Sequence, residues 1–183
     1  MACIKKLNTD ITYDCGSLGL LGGVGEIDEA VIINSSDIAS ISTDSGNHNA
    51  GTIVMQTGKK GYVINSVNNS IMYQDAIKVN DTVPAAEDQS VTLKILRSID
   101  DLTGYREIVQ QLLGGNFRVA LKSKANTYFL AGAFCGLEAS DLATDSSTGG
   151  ISTVTLKTPE ASTGDMLIVI PKGMYDSLKI PKV

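Results

Sequence analysis

Between Ile99 and Leu113 the apolar residues recur at steps of three and four. Ile99, Leu102, Tyr105, Ile108, Val109, Leu112 and Leu113 then share one stripe of a helix. Asp100 and Asp101 stand in the first turn, where the helix dipole favours negative charge. Gly114 and Gly115 follow the stripe, and a positive φ at such a C-terminal stop suits glycine. Gly104 inside the run costs roughly 1 kcal/mol against Ala, which moves the expected start to Thr103 as cap. The pattern predicts a helix over about residues 103–113, packed through Leu102, Tyr105, Ile108, Val109 and Leu112.

Elsewhere the period is two. Val91–Arg97 sets Val91, Leu93 and Ile95 against Thr92 and Lys94, the pattern of a half-buried strand. Asn116–Lys122 repeats it with Phe117, Val119 and Leu121, turns through Ser123–Asn126 and returns along Thr127–Phe134. Glu26–Asn34, Ile38–Thr43, Thr52–Gln56, Tyr62–Ser66, Ile151–Lys157, Met166–Ile170 and a short Ile11–Asp14 add further strands, for about eight to ten in all. Thr57–Gly61 makes a hairpin turn between two of them, and Ser35–Asp37 and Pro159–Asp165 are turns. Residues 16–25, 44–51, 67–90 and 136–150 lack a clear period and are rich in Gly, Ser, Thr, Asn or Asp. They read as long loops, and the closing 172–183 either packs or hangs free. Strands and helices do not alternate, so a parallel sheet with crossovers is not expected. The fold class is mainly β: an antiparallel β-sandwich or barrel with one flanking α-helix and long assembly loops, as a single domain over 1–183.

The composition agrees with this class. The chain has 183 residues, enough to bury roughly 70% of the surface of its unfolded form. It carries 18 glycines, no Trp and 43% hydrophobic residues, a mixture suited to short strands and turns. The net charge of −5 comes without a Lys/Arg cluster, which argues against gripping a nucleic-acid backbone. Cys3, Cys15 and Cys135 are odd in number and have no CxxC spacing, and MACIKKLNTD has no apolar secretion core. Free thiols in a reducing cytoplasm are expected. No apolar run reaches about 18 residues, so no membrane span is expected.

Candidate chemistry is thin. Gly19, Gly22, Gly23 and Gly25 crowd one segment, yet neither a GxGxxG between strand and helix nor a GKS/GKT ending is present. A flexible loop ordered by a neighbouring subunit is the better reading. Asp44, Asn47 and Asn49 offer oxygens in a polar loop, without the acid spacing and closing Glu of a calcium loop. His48 is the lone histidine, with no GxSxG serine to serve. No enzyme activity, metal or cofactor is expected.

Several stretches together resemble the tail tube (major tail) protein family of long-tailed phages, in the divergent type found in phages of gut Bacteroides and relatives. They are MACI with Tyr13–Cys15, GGVGEIDEAVIINSSDI at Gly22–Ile38, YREIVQQLLGGNFRVAL at Tyr105–Leu121, AGAFCGLEASD at Ala131–Asp141, and Ser147–Glu160 with Gly164–Met166. Their order carries the resemblance, which covers most of the chain. It implies a virion structural protein, made in the host cytoplasm, whose hexameric rings stack into a hollow tail tube. The partners implied are other copies of the chain, the tape measure, terminator and distal tail proteins, and genomic DNA that passes without specific binding. Ring-stacking or inter-subunit loops would include Gly19, Gly22, Gly23, Gly25, Asn47, Asn49, Asn68, Asn69 and Pro84. Asp28, Glu29, Asp44 and Glu87 are the acids expected to face the channel. The alternatives are a capsid decoration protein, a tail terminator, or a β-sandwich ligand-binding module; the absence of Trp disfavours the last.

Overall fold

The computed structural model describes residues 26–44, 50–65, 70–78, 86–95, 102–145, 151–159 and 167–181. In chain order the strands are β1 (Ile27–Asn34), β2 (Ile38–Thr43), β3 (Gly51–Met55), β4 (Tyr62–Asn65), β5 (Ile71–Lys78) and β6 (Ala86–Ile95). Then come helix α1 (Leu102–Gly114), β7 (Asn116–Ser123), β8 (Tyr128–Ala131), β9 (Leu137–Asp145), β10 (Ile151–Lys157), β11 (Ile168–Val169) and helix α2 (Lys172–Ser177). A single 3-10 turn, Ser35–Asp37, joins β1 to β2.

Nine strands form one antiparallel sheet, ordered β11-β8-β7-β9-β10-β6-β5, with β1 on β7 and β4 on β1. The sheet folds over itself as a sandwich and does not close into a barrel: β4 pairs only with β1, and β5 only with β6, among the described residues. The fold occurs where β8 gives way to β9. Both oppose β7, β8 at Val119–Lys122 and β9 at Asn116 and Phe117. Gly132 and Gly136 turn the chain between them with φ of 70° and 76°, a region that side chains with a Cβ disfavour.

Two cores result. The first lies inside the sandwich and takes Ile27, Ala30 and Ile32 from β1, Val91 and Leu93 from β6, Phe117, Val119 and Leu121 from β7, and Val154 and Leu156 from β10. The second lies on the outer side of β1, β7 and β8, under the β2–β3 hairpin and α2. It takes Val31, Ile33, Ile53, Leu130, Tyr175 and Leu178. β1 is therefore buried on both faces, and its AVIIN run is continuous rather than alternating for that reason. A register shift between Ile27 and Glu29 sets Asp28 in a bulge, so Ile27 and Ala30 face the same core although three positions apart.

Several sequence expectations are corrected. Residues 67–90 are not one long loop: β5 and the first half of β6 occupy much of it in an eight-pair register from Ile71↔Leu93 to Lys78↔Ala86. Residues 136–150 are likewise mostly strand, since β9 pairs with β10 from Ile151↔Asp145 to Lys157↔Glu138. Helix α1 begins at Leu102, so Thr103 lies within it rather than capping it. Neither Gly114 nor Gly115 has a positive φ. Gly115 is needed for a different reason: a Cβ there would lie 2.1 Å from Cζ of Phe117, whereas Gly114 faces open space. A second helix is present, because the tail packs as α2. Strand Ile11–Asp14 and the glycine-rich 16–25 lie outside the described residues.

Candidate functional site

The acids singled out by sequence lie in three settings. Asp28, bulged out of β1, accepts a hydrogen bond from Lys122 Nζ at 2.7 Å. That bond, with the Lys122 charge, holds the Asp28 carboxyl below its ordinary value and pushes the Lys122 ammonium up. Glu29 shares a face with Val31 and Ile33, toward α2. Its Oε1 accepts from the Tyr175 hydroxyl at 2.9 Å and from Lys179 Nζ. Lys179 also sits 4.6 Å from the Tyr175 ring centroid, and Tyr128 packs at 5.0 Å on the same ring. Burial, and then the bond to Glu29, push the Tyr175 phenol up. These side chains tie α2 to β1. Asp44 is exposed, and its backbone N–H donates to the carbonyl of Ala50 at 2.8 Å. Glu87 lies in β6 opposite Ile77. Gly19, Gly22, Gly23, Gly25, Asn47, Asn49, Asn68, Asn69 and Pro84 lie outside the described residues.

The helix stripe is only partly covered. Leu112 is buried in the first core and Val109 half-buried, but Ile108 is 49% exposed. Ile108 and Leu112 form one wall of a cleft of about 310 Å³; Tyr62 and Val63 of β4 form the other, over a floor of Ile32 and Phe117. Tyr62 is 56% and Val63 43% exposed. Lys60, two residues before Tyr62, is exposed. Glu107 is exposed on the helix wall, one turn before Gln111, which also lines the cleft.

A second exposed feature sits at the β8–β9 corner. Phe134, at its tip, is 52% exposed. Polar groups brace the corner from beneath. Arg118 Nη2 donates to the Phe134 carbonyl at 3.1 Å, and Asn116 Nδ2 donates to the Cys135 carbonyl at 3.3 Å and to Glu138 Oε1 at 3.1 Å. Arg118 Nη1 donates to Asn116 Oδ1 at 2.8 Å and also bonds Ser35 Oγ. Below them, Gly132 N–H donates to buried Gln89 at 2.8 Å. Sequence reasoning placed Phe134 in a strand and gave Arg118 and Asn116 no role. The signal was present: an apolar aromatic between two glycines, at Gly132 and Gly136, marks a turn tip rather than a strand interior.

Among the described residues no group of three or more His, Cys, Asp and Glu side chains is placed to hold a metal ion. No described helix is long and apolar enough to cross a membrane. No family model, curated protein or solved structure matches the chain.

Proposed function

We propose that the chain is a virion structural protein, the subunit of hexameric rings that stack into a tail tube through which DNA passes. The observation that carries the reading is a β-sandwich whose sheet, among the described residues, does not close and has β4 and β5 at its ends. Exposed Tyr62, Val63 and Met72 lie on those strands. Unpaired edges with apolar side chains are sites for joining another chain, and a protein that stays monomeric commonly blunts them. The sequence motifs and their order point the same way, and a net charge of −5 suits a wall along which DNA moves without adhering. Its partners in this reading are further copies of itself and the tape measure, terminator and distal tail proteins; no cofactor is involved.

The test is negative-stain electron microscopy of the purified protein across a concentration series. Rings or tubes with a central hole are the expected result. Monomers or trimers persisting at high concentration would refute the tube and favour a decoration protein.

A further inference from the structure

We infer that Ile11–Asp14 docks along β4 of its own chain as an added edge strand, with Ile11 and Tyr13 set into the α1–β4 cleft. The inference concerns one copy of the chain and stands apart from the assembly reading above.

The cleft has the layout that receives an extended segment. Strand β4 pairs with β1 from Glu29↔Asn65 to Ile32↔Tyr62, and with no other strand among the described residues. A segment laid along the other edge of β4 can bond its backbone groups, and alternate side chains of that segment fall on one face. The face is set by β4 itself. Tyr62 opposes Ile32 and Ile64 opposes Ala30, and both partners belong to the first core. Directly opposed residues share a face, so Tyr62 and Ile64 turn toward that core. Helix α1 stands on the same side: Ile108 and Leu112 line the cleft with them, over Ile32 and Phe117. An edge strand beside a helix, with an apolar floor between, takes a peptide by main-chain pairing and its alternate apolar side chains by burial. The volume of about 310 Å³ has room for two such side chains.

Ile11–Asp14 fits in length, pattern and reach. It lies outside the described residues, and its sequence ITYD reads as a strand of four residues, the length of β4. Ile11 and Tyr13 then share one face, and Thr12 and Asp14 the other. Eleven residues, Cys15–Gly25, separate it from Glu26. Extended, they span up to about 36 Å. Ile27 lies five residues before Ile32 in β1 and two strand spacings from a strand added beyond β4, a separation of roughly 20 Å. The link is long enough to bring the segment back along β4. Docking covers Tyr62 and Ile108, now 56% and 49% exposed, and the outer edge of the sheet moves from β4 to the added strand.

The experiment uses the full chain, diluted until light scattering shows monomers. Hydrogen exchange read by mass spectrometry should find protected amides in β4 on the side away from β1. Ile11→Asp/Tyr13→Asp should speed their exchange roughly tenfold or more, with circular dichroism unchanged. Ile108→Asp, from the opposite wall, should do the same. Thr12→Asp alters the outward face and should leave the rate within about twofold of the parent. Unprotected β4 amides in the parent, or equal exchange in the parent and the Ile11→Asp/Tyr13→Asp variant, would overturn the inference.

A cross-link identifies the occupant independently. With Cys3, Cys15 and Cys135 replaced by Ser, Ile11→Cys/Ile108→Cys and Tyr13→Cys/Ile108→Cys are each oxidised at the same dilution. A disulfide inside one chain in at least one of the two pairs is the expected result. A linked dimer in place of a linked monomer would give the cleft to a neighbouring copy and overturn docking within the chain. Absence of a link in both pairs would overturn it as well.

Discussion

Two adjacent glycines separate what a residue does locally from what it permits around it. Gly114 is the last residue of α1 and faces open space, so Gly114→Ala gains up to about 1 kcal/mol from helix propensity. Gly115→Ala drives a Cβ into the ring of Phe117, which the first core holds on its other side, and loses about 1–3 kcal/mol by overpacking. Urea unfolding of the two variants should move the midpoint in opposite directions. Asp37 offers a second residue-scale prediction. It is buried in the turn after β1 and accepts from Asn34 Nδ2 at 2.9 Å and from Lys59 at 3.1 Å. The Asn34 hydrogen bond, and then Lys59, hold its pKa below the ordinary 3.8. A depressed carboxyl stabilises the fold above its unfolded pKa, and that contribution is lost as pH falls through the folded value. Asp37→Asn should therefore cost about 1 kcal/mol near neutral pH. The deficit should shrink as unfolding is measured at pH values progressively below 3.8.

At the scale of elements, the strands that could be read from sequence have a regular apolar face or a continuous apolar run. β10 alternates without a break, β7 sets Phe117, Val119 and Leu121 on one face although Ala120 is buried on the other, and β1 announces itself by a continuous apolar run. β9 was hidden because its inward residues are Leu137, Ala139 and Leu142. A register shift opposite Thr155 and Leu156 breaks the period of two between the last pair, and Ala139 is too small to signal a core position. The first half of β6 was hidden by composition: Ala86–Ser90 is polar, and Gln89, which serves the β8–β9 corner, is fully buried. The acids show the same limit. Glu29 reads as a solvated charge until Tyr175 and Lys179, about 150 residues away, fold back onto it. Helix α2 is the element for which this matters most, since periodicity alone left the tail undecided. Leu178 is 1% exposed and Ile180 65%. Leu178→Ala should cost about 2–5 kcal/mol by opening the second core, while Ile180→Ala should stay within about 0.5 kcal/mol. Denaturation followed by circular dichroism distinguishes the two, and equal effects would mean that α2 does not seal that core.

For the whole molecule, the question is whether the open sheet edges serve stability or assembly. Removing 71–90 would strip away β5 and half of β6, leaving Val91, Leu93 and Val154 of the first core uncovered. That deletion is expected to unfold the chain, so it cannot report on assembly. A single charge on an edge strand does report on it. Met72 in β5 is 52% exposed, and its replacement by Lys leaves the core untouched. Met72→Lys should keep stability within about 0.5 kcal/mol of the parent. It should also reduce the yield of rings or tubes in negative stain, because a lysine on an exposed edge opposes strand-to-strand joining. Full assembly of Met72→Lys would leave β5 facing solvent. Loss of assembly with the fold intact would make β5 a contact between subunits, because nothing else in the variant changes.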